Sequence, residues 1–131
     1  MTKKIRSLPL VLTACALLTL FGGARIAAQD PAVVNAKTIR VELENPRVRV
    51  LEAVLEPGDK EALHSHPAYV VHVVSGGKVR VHAADGGVTE SELVTGQTVY
   101  RDPVTHWAEN IGTTRIHLIL VELKDPPKDA P

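Results

Sequence analysis

From Lys37 to Leu123 apolar residues alternate with polar ones, and turn residues cut the alternation at roughly 8–12-residue spacing. Ile39, Val41 and Leu43 alternate with Arg40, Glu42 and Glu44, and Asn45-Pro46 stops the run. The pattern resumes over Arg47–Leu55, breaks at Pro57-Gly58-Asp59, and returns as a short segment over Ala62–His66. Tyr69–Ser75 is rich in β-branched residues, and Gly76-Gly77 after it is a tight-hairpin signal. Further strands are expected over Lys78–Ala83, Thr89–Val94, Gln97–Arg101, Thr105–Asn110 and Arg115–Leu123. Side chains two apart on a strand share a face, so each stretch has one face to bury. About nine short strands, with no helical repeat after residue 28, imply an all-β sandwich or barrel.

The N-terminus does not share this pattern. Lys3, Lys4 and Arg6 precede an apolar run, Leu8–Phe21, of secretory-signal length and short for a bilayer span. Small residues follow, and cleavage is expected after Ala28. Residues 1–28 therefore read as a signal peptide, 29–36 as a linker, 37–124 as the β-barrel domain and 125–131 as a disordered tail. Leu12-Thr13-Ala14-Cys15 resembles a bacterial lipobox, but Ala16–Phe21 stay apolar where a lipoprotein turns polar. Ordinary export, to the periplasm or beyond, is the expectation. Cys15 is the single cysteine, so the exported part has no disulfide and no thiolate. It carries 11 basic and 15 acidic residues, a net charge near −4. Such a balance without a basic patch argues against nucleic acid as a partner. After cleavage nothing is expected to hold the protein to a membrane. A domain this small buries a modest share of its surface, so a homodimer is expected.

The six histidines are 64, 66, 72, 82, 106 and 117. His64 and His66 aim to one side of a strand, and neutral imidazole is the commonest protein metal ligand. His106 follows a corner at Pro103. Strands distant in sequence face one another across a barrel, so His64, His66 and His106 can converge as a facial set. Such a set leaves positions open for water or substrate; the alternative is a polar pocket in which three histidines hold water. His72 shares the parity of Val70 and faces the interior if Val70 does. There it is a fourth ligand, a hydrogen-bonded core residue or a proton carrier, and it is the candidate catalytic acid or base. His82 and His117 read as surface or hydrogen-bonded residues.

Trp107 must point opposite to His106, into packing between sheets or subunits. Gly58, Gly77, Gly87, Gly96 and Gly112 read as turn residues. Arg47, Arg49, Arg80 and Arg101 lie on expected strands, on a solvated face or with one of them reaching in to hold a carboxylate. Tyr69, Tyr100 and Trp107 are the only aromatic residues after residue 28. A cavity would be lined by Val, Ile, Leu and Ala, which suits a small polar or aliphatic molecule better than a planar aromatic one.

With these spacings the chain resembles the cupin superfamily. That family's first motif is Gly, five residues, His-x-His, three or four residues, Glu, six residues, Gly. Gly58, His64-Ser65-His66, Val70 and Gly77 stand at those places, with Val70 in place of the Glu. The second motif ends in His, three residues, Asn, which His106 and Asn110 match; its upstream Pro and Gly are out of register here. The resemblance implies a double-stranded β-helix, or jelly-roll barrel. It also implies a divalent transition metal (Zn, Fe, Mn, Ni or Cu) held by His64, His66 and His106. By the same resemblance the protein is expected to bind or act on a small polar molecule, and an enzyme of this kind would be a metal-dependent dioxygenase or isomerase. The other class is a non-catalytic metal- or ligand-binding module with an incomplete ligand set.

Overall fold

The structure is a computed structural model and describes residues 29–125. The expected signal peptide, and all of the expected tail but Asp125, lie outside the described residues. The alternating segments form β1 (Ile39–Glu44), β2 (Val48–Leu55), β3 (His64–His66), β4 (Tyr69–Ser75) and β5 (Gly77–Ala83). They continue as β6 (Val88–Leu93), β7 (Thr98–Arg101), β8 (Val104–Asn110) and β9 (Ile116–Leu123). Five strands make one antiparallel sheet in the order β1-β2-β9-β4-β7; the other four make a second in the order β3-β8-β5-β6. The chain changes sheet six times, at β2–β3, β3–β4, β4–β5, β6–β7, β7–β8 and β8–β9, which rolls the two sheets around a shared interior. Among the described residues no helix is long and apolar enough to cross a membrane.

The core follows from parity. Leu51, Ala53 and Leu55 of β2, Tyr69 and Val71 of β4, and Ile116 and Leu120 of β9 point inward and meet Val79 of β5. Leu51 and Ile116 are completely enclosed. Truncating either to Ala would cost about 2–5 kcal/mol, the transfer term plus the cavity left behind. Asn110 is also enclosed and serves the fold: its Nδ2 donates to Leu55 O (2.9 Å) and Thr114 O (2.8 Å), and its Oδ1 accepts from Gly112 N.

Three expectations change. Gly76-Gly77 makes no hairpin, because β4 and β5 belong to different sheets. Glycine is needed there for space: a Cβ on Gly76 would lie 1.8 Å from Leu93 O, and one on Gly77 2.7 Å from Thr114 Oγ1. Positive φ belongs to Gly58, Gly86 and Gly96, whereas Gly77, Gly87 and Gly112 adopt ordinary backbone angles. Residues 29–36 are part of the fold, not a linker. Asp30 caps a single helical turn, α1 (Pro31–Val34), by accepting from Ala32 N at 2.9 Å, with Pro31 pre-set at the first helical position. This turn packs on β1 and β3.

Candidate metal centre

β3 is three residues long, and both its end residues point inward: His64 is 1% exposed and His66 4%. β3 pairs with β8 so that His64 lies directly opposite His106. The three rings are thus brought together by register within one sheet, not by facing across the barrel as expected. Ring centroids are 4.8 Å apart for His64–His66, 4.9 Å for His64–His106 and 5.5 Å for His66–His106. One nitrogen from each lies within 4.8 Å of the others. Ligand nitrogens about 2.0–2.1 Å from a zinc-like ion sit about 3 Å apart. Closing that gap requires rotation about the side-chain bonds.

The surroundings prepare the rings for coordination. His66 Nδ1–H donates to Glu122 Oε1 at 2.6 Å, with both side chains almost wholly buried. That bond fixes the tautomer and leaves Nε2 unprotonated, the arrangement in which a carboxylate orients a metal-bound imidazole. His64 Nδ1 lies 2.8 Å from Ala62 O and 3.0 Å from Asn35 Nδ2. Asn35 also grips Ala62, accepting from its N–H at 2.6 Å and donating to its carbonyl at 3.2 Å. With the Nδ1 proton given to Ala62 O, His64 Nε2 becomes the ligand atom. His106 has no hydrogen-bond partner among the described residues, so both its nitrogens are unclaimed. Burial lowers the pKa of His64 to about 4 and that of His106 to about 3, helped at His106 by its two neighbouring rings. Both are neutral at physiological pH, as ligation requires.

The rings look into a cavity of about 130 Å³. Its walls are mostly aliphatic, and its remaining polar groups are Glu61, Tyr69, Ser91 and Arg101. At about 30 Å³ of liquid volume per water, the space takes a molecule of a few heavy atoms.

No family model and no curated protein matches the sequence. Solved structures do. A cupin domain from Bordetella pertussis Tohama I aligns with a TM-score of 0.61 and 28% identity, over 66% of this chain and 92% of that one. A protein with a double-stranded β-helix domain from Klebsiella pneumoniae aligns at 0.52 and 27% identity, over 66% and 72% of the two chains. An archaeal cupin family protein from Methanocaldococcus jannaschii gives 0.54 and 20% identity, over 69% and 84%. The chain has the double-stranded β-helix fold of the cupin proteins.

Its departure from the cupin motif has a structural explanation. The inward residues of β4 are Tyr69, Val71 and Val73, so Val70 and His72 lie on the outer face. Val70 occupies no ligand position, and a carboxylate there would point away from the rings. The Tyr69 ring instead lies 4.9 Å from the His66 ring. His72 is exposed and bonded through Nδ1 to Thr98 Oγ1 at 2.8 Å. This corrects the expectation of a catalytic residue in the interior.

The other histidines are external too. His82 stacks on Trp107 at 3.6 Å and 4° on the outside of the four-stranded sheet, so Trp107 does not pack between the sheets. His117 Nε2 donates to Glu52 at 2.8 Å. Three residues around the candidate site carry no expectation from the sequence. Glu122 falls on the inward parity of β9 after Ile116, Leu118 and Leu120, and that parity was the available signal. Glu61 stands on the approach to β3 and lines the cavity, where burial raises its pKa to about 7. Asn35 carries no local signal; only the fold places it behind His64.

Proposed function

We propose that this chain is an exported cupin that holds one divalent transition metal on His64, His66 and His106 and binds a small molecule beside it. The observation that carries the metal reading is the convergence of three neutral imidazoles, two of them oriented from behind by Glu122 and by the Ala62–Asn35 pair. All-imidazole donors suit Zn, Fe, Ni and Cu better than Mg or Ca. Bound there, the metal would act as a Lewis acid or orient an oxygen-containing ligand at its open positions. The chain's own residues do the rest. The aliphatic walls exclude water, Glu122 holds the His66 ring, and Glu61 offers a carboxyl that gains and loses a proton near neutral pH.

Glu61 takes the proton-transfer role that His72 cannot reach, and it favours a catalytic reading over a purely binding one. Dioxygenase and isomerase chemistry both remain open to such a site. Export rests on the basic start and on the apolar run Leu8–Phe21. Homodimer formation rests on the outer face of the five-stranded sheet. There Leu43, Val50, Val121, Val70 and Tyr100 pair in register across all five strands as one apolar row. Leu43 and Tyr100 are 49% and 55% exposed in the single chain. A second copy that packs this row against its own buries it.

Elemental analysis of protein purified without a histidine tag tests the metal reading. About one transition metal per chain is expected, lost in His66→Ala and His106→Ala and retained in His72→Ala. A parent protein that stays metal-free after reconstitution would overturn it.

A further inference from the structure

Among the described residues the cavity lining has one arginine or lysine, and it makes no ion pair. Arg40, Arg49, Arg80 and Arg115 each pair with at least one carboxylate. Arg47 and Arg101 pair with none among the described residues, and of these two only Arg101 lines the cavity. It is exposed yet part of the lining, so it stands where the cavity opens to solvent.

Across the β4–β7 pairing Arg101 lies directly opposite Tyr69. Tyr69 is only 6% exposed, and its hydroxyl has no hydrogen-bond partner among the described residues. That hydroxyl is not sealed in, since Arg49 Nε is the one buried side-chain polar atom without a partner among the described residues; it is open and free to donate to a ligand. The tyrosine ring also lies 4.9 Å from the His66 ring. An unpaired guanidinium, an unpaired phenol and the histidine cluster therefore follow one another along one wall.

We propose that Arg101 and Tyr69 hold the carboxylate of a small aliphatic acid, whose other end lies toward the histidines. A guanidinium offers parallel N–H donors that match a carboxylate, and the phenol adds a third. The volume limits the acid to a few carbons, and the walls of Val, Leu, Ile and Ala favour an organic chain over an inorganic oxyanion. Burial raises the pKa of Glu61, the cavity's one carboxyl, to about 7, so it repels an anion less than an ordinary carboxylate does. The proposal deepens the function given above and rests on it for the histidine cavity being the ligand site.

Titration calorimetry on the metal-loaded protein tests it with propionate, with propionamide as the neutral analogue and with inorganic phosphate. Propionate should bind at least about tenfold more tightly than either. Arg101→Gln, at an exposed position, should lower propionate affinity about tenfold or more while metal content and propionamide binding stay unchanged. Tyr69→Phe should lower it less. Equal affinity for propionate and propionamide would overturn the proposal, as would phosphate binding as well as propionate. Unchanged propionate affinity in Arg101→Gln would also overturn it. Loss of metal from Arg101→Gln would overturn it as well, because the arginine would then act on the centre and not on a ligand. Failure of the metal centre itself is read separately, by elemental analysis of the parent.

Discussion

Replacing Glu122 by Gln isolates what its negative charge does for the histidine cluster. The carboxylate accepts the Nδ1 proton of His66 at 2.6 Å, and the two side chains are 4% and 1% exposed. Water screens such a contact little. Gln keeps the size and one acceptor oxygen, so the ring can keep its orientation while the charge is lost. Arg49, 3.7 Å from the other carboxylate oxygen, keeps its partner Asp30 at 2.9 Å, so no cation is stranded. Losing a carboxylate behind a metal-bound histidine weakens metal affinity about 10–100-fold, or about 1.4–2.7 kcal/mol. Ala removes the acceptor as well and should cost more. Competition against a chromophoric chelator at pH 7 reads the affinity, with circular dichroism to show that each variant is folded. A folded Glu122→Gln protein with unchanged metal affinity would refute the claim that Glu122 tunes His66 as a ligand.

Three further outcomes are expected. Unfolded histidines take up protons near pH 6.5, whereas folded His64 and His106 do so only near pH 4 and pH 3. Stability of the metal-free protein, measured by urea denaturation, should therefore fall by a few kcal/mol as pH drops from 6.5 to 4; a flat profile would contradict the burial of neutral rings. Folded Glu61 ionises near pH 7 and its unfolded form near 4.5, so its contribution is full below 4.5 and lost as pH rises through 7. Glu61→Gln should gain about 1–3 kcal/mol over the parent at pH 8 and about nothing at pH 4, a difference the same titration checks. Val70→Glu should leave metal affinity unchanged, because the side chain points outward. It should also dissociate the dimer by placing like charges in the apolar row, seen as a halved mass in light scattering.

Where a side chain's facing depends on a single strand, it was legible in the sequence. The two-residue period of His64-Ser65-His66 suffices to put both rings on one face, and the spacing to Asn110 picks out His106. His72 was misplaced because its facing was taken from Val70, which the family motif puts at an interior ligand position, whereas Pro67-Ala68, where the chain leaves one sheet for the other, sets Tyr69, Val71 and Val73 inward instead. A corner resets the facing of everything after it, and no pairing pattern is visible in the sequence to reveal the reset. Gly76-Gly77 misled for a related reason. A glycine pair signals tight geometry, but it does not distinguish a turn between paired strands from a close crossing beneath Leu93. Glu122 and Asn35 reach the centre from distant segments, which only the assembled sheets bring behind the rings.

X-ray absorption spectroscopy of the metal-loaded protein tests the centre most directly, because it counts the imidazoles on the ion. Three should be found at about 2.0–2.1 Å, falling to two in His106→Ala. A bound ion with one imidazole or none in the parent protein would place the metal elsewhere and contradict the three-histidine centre.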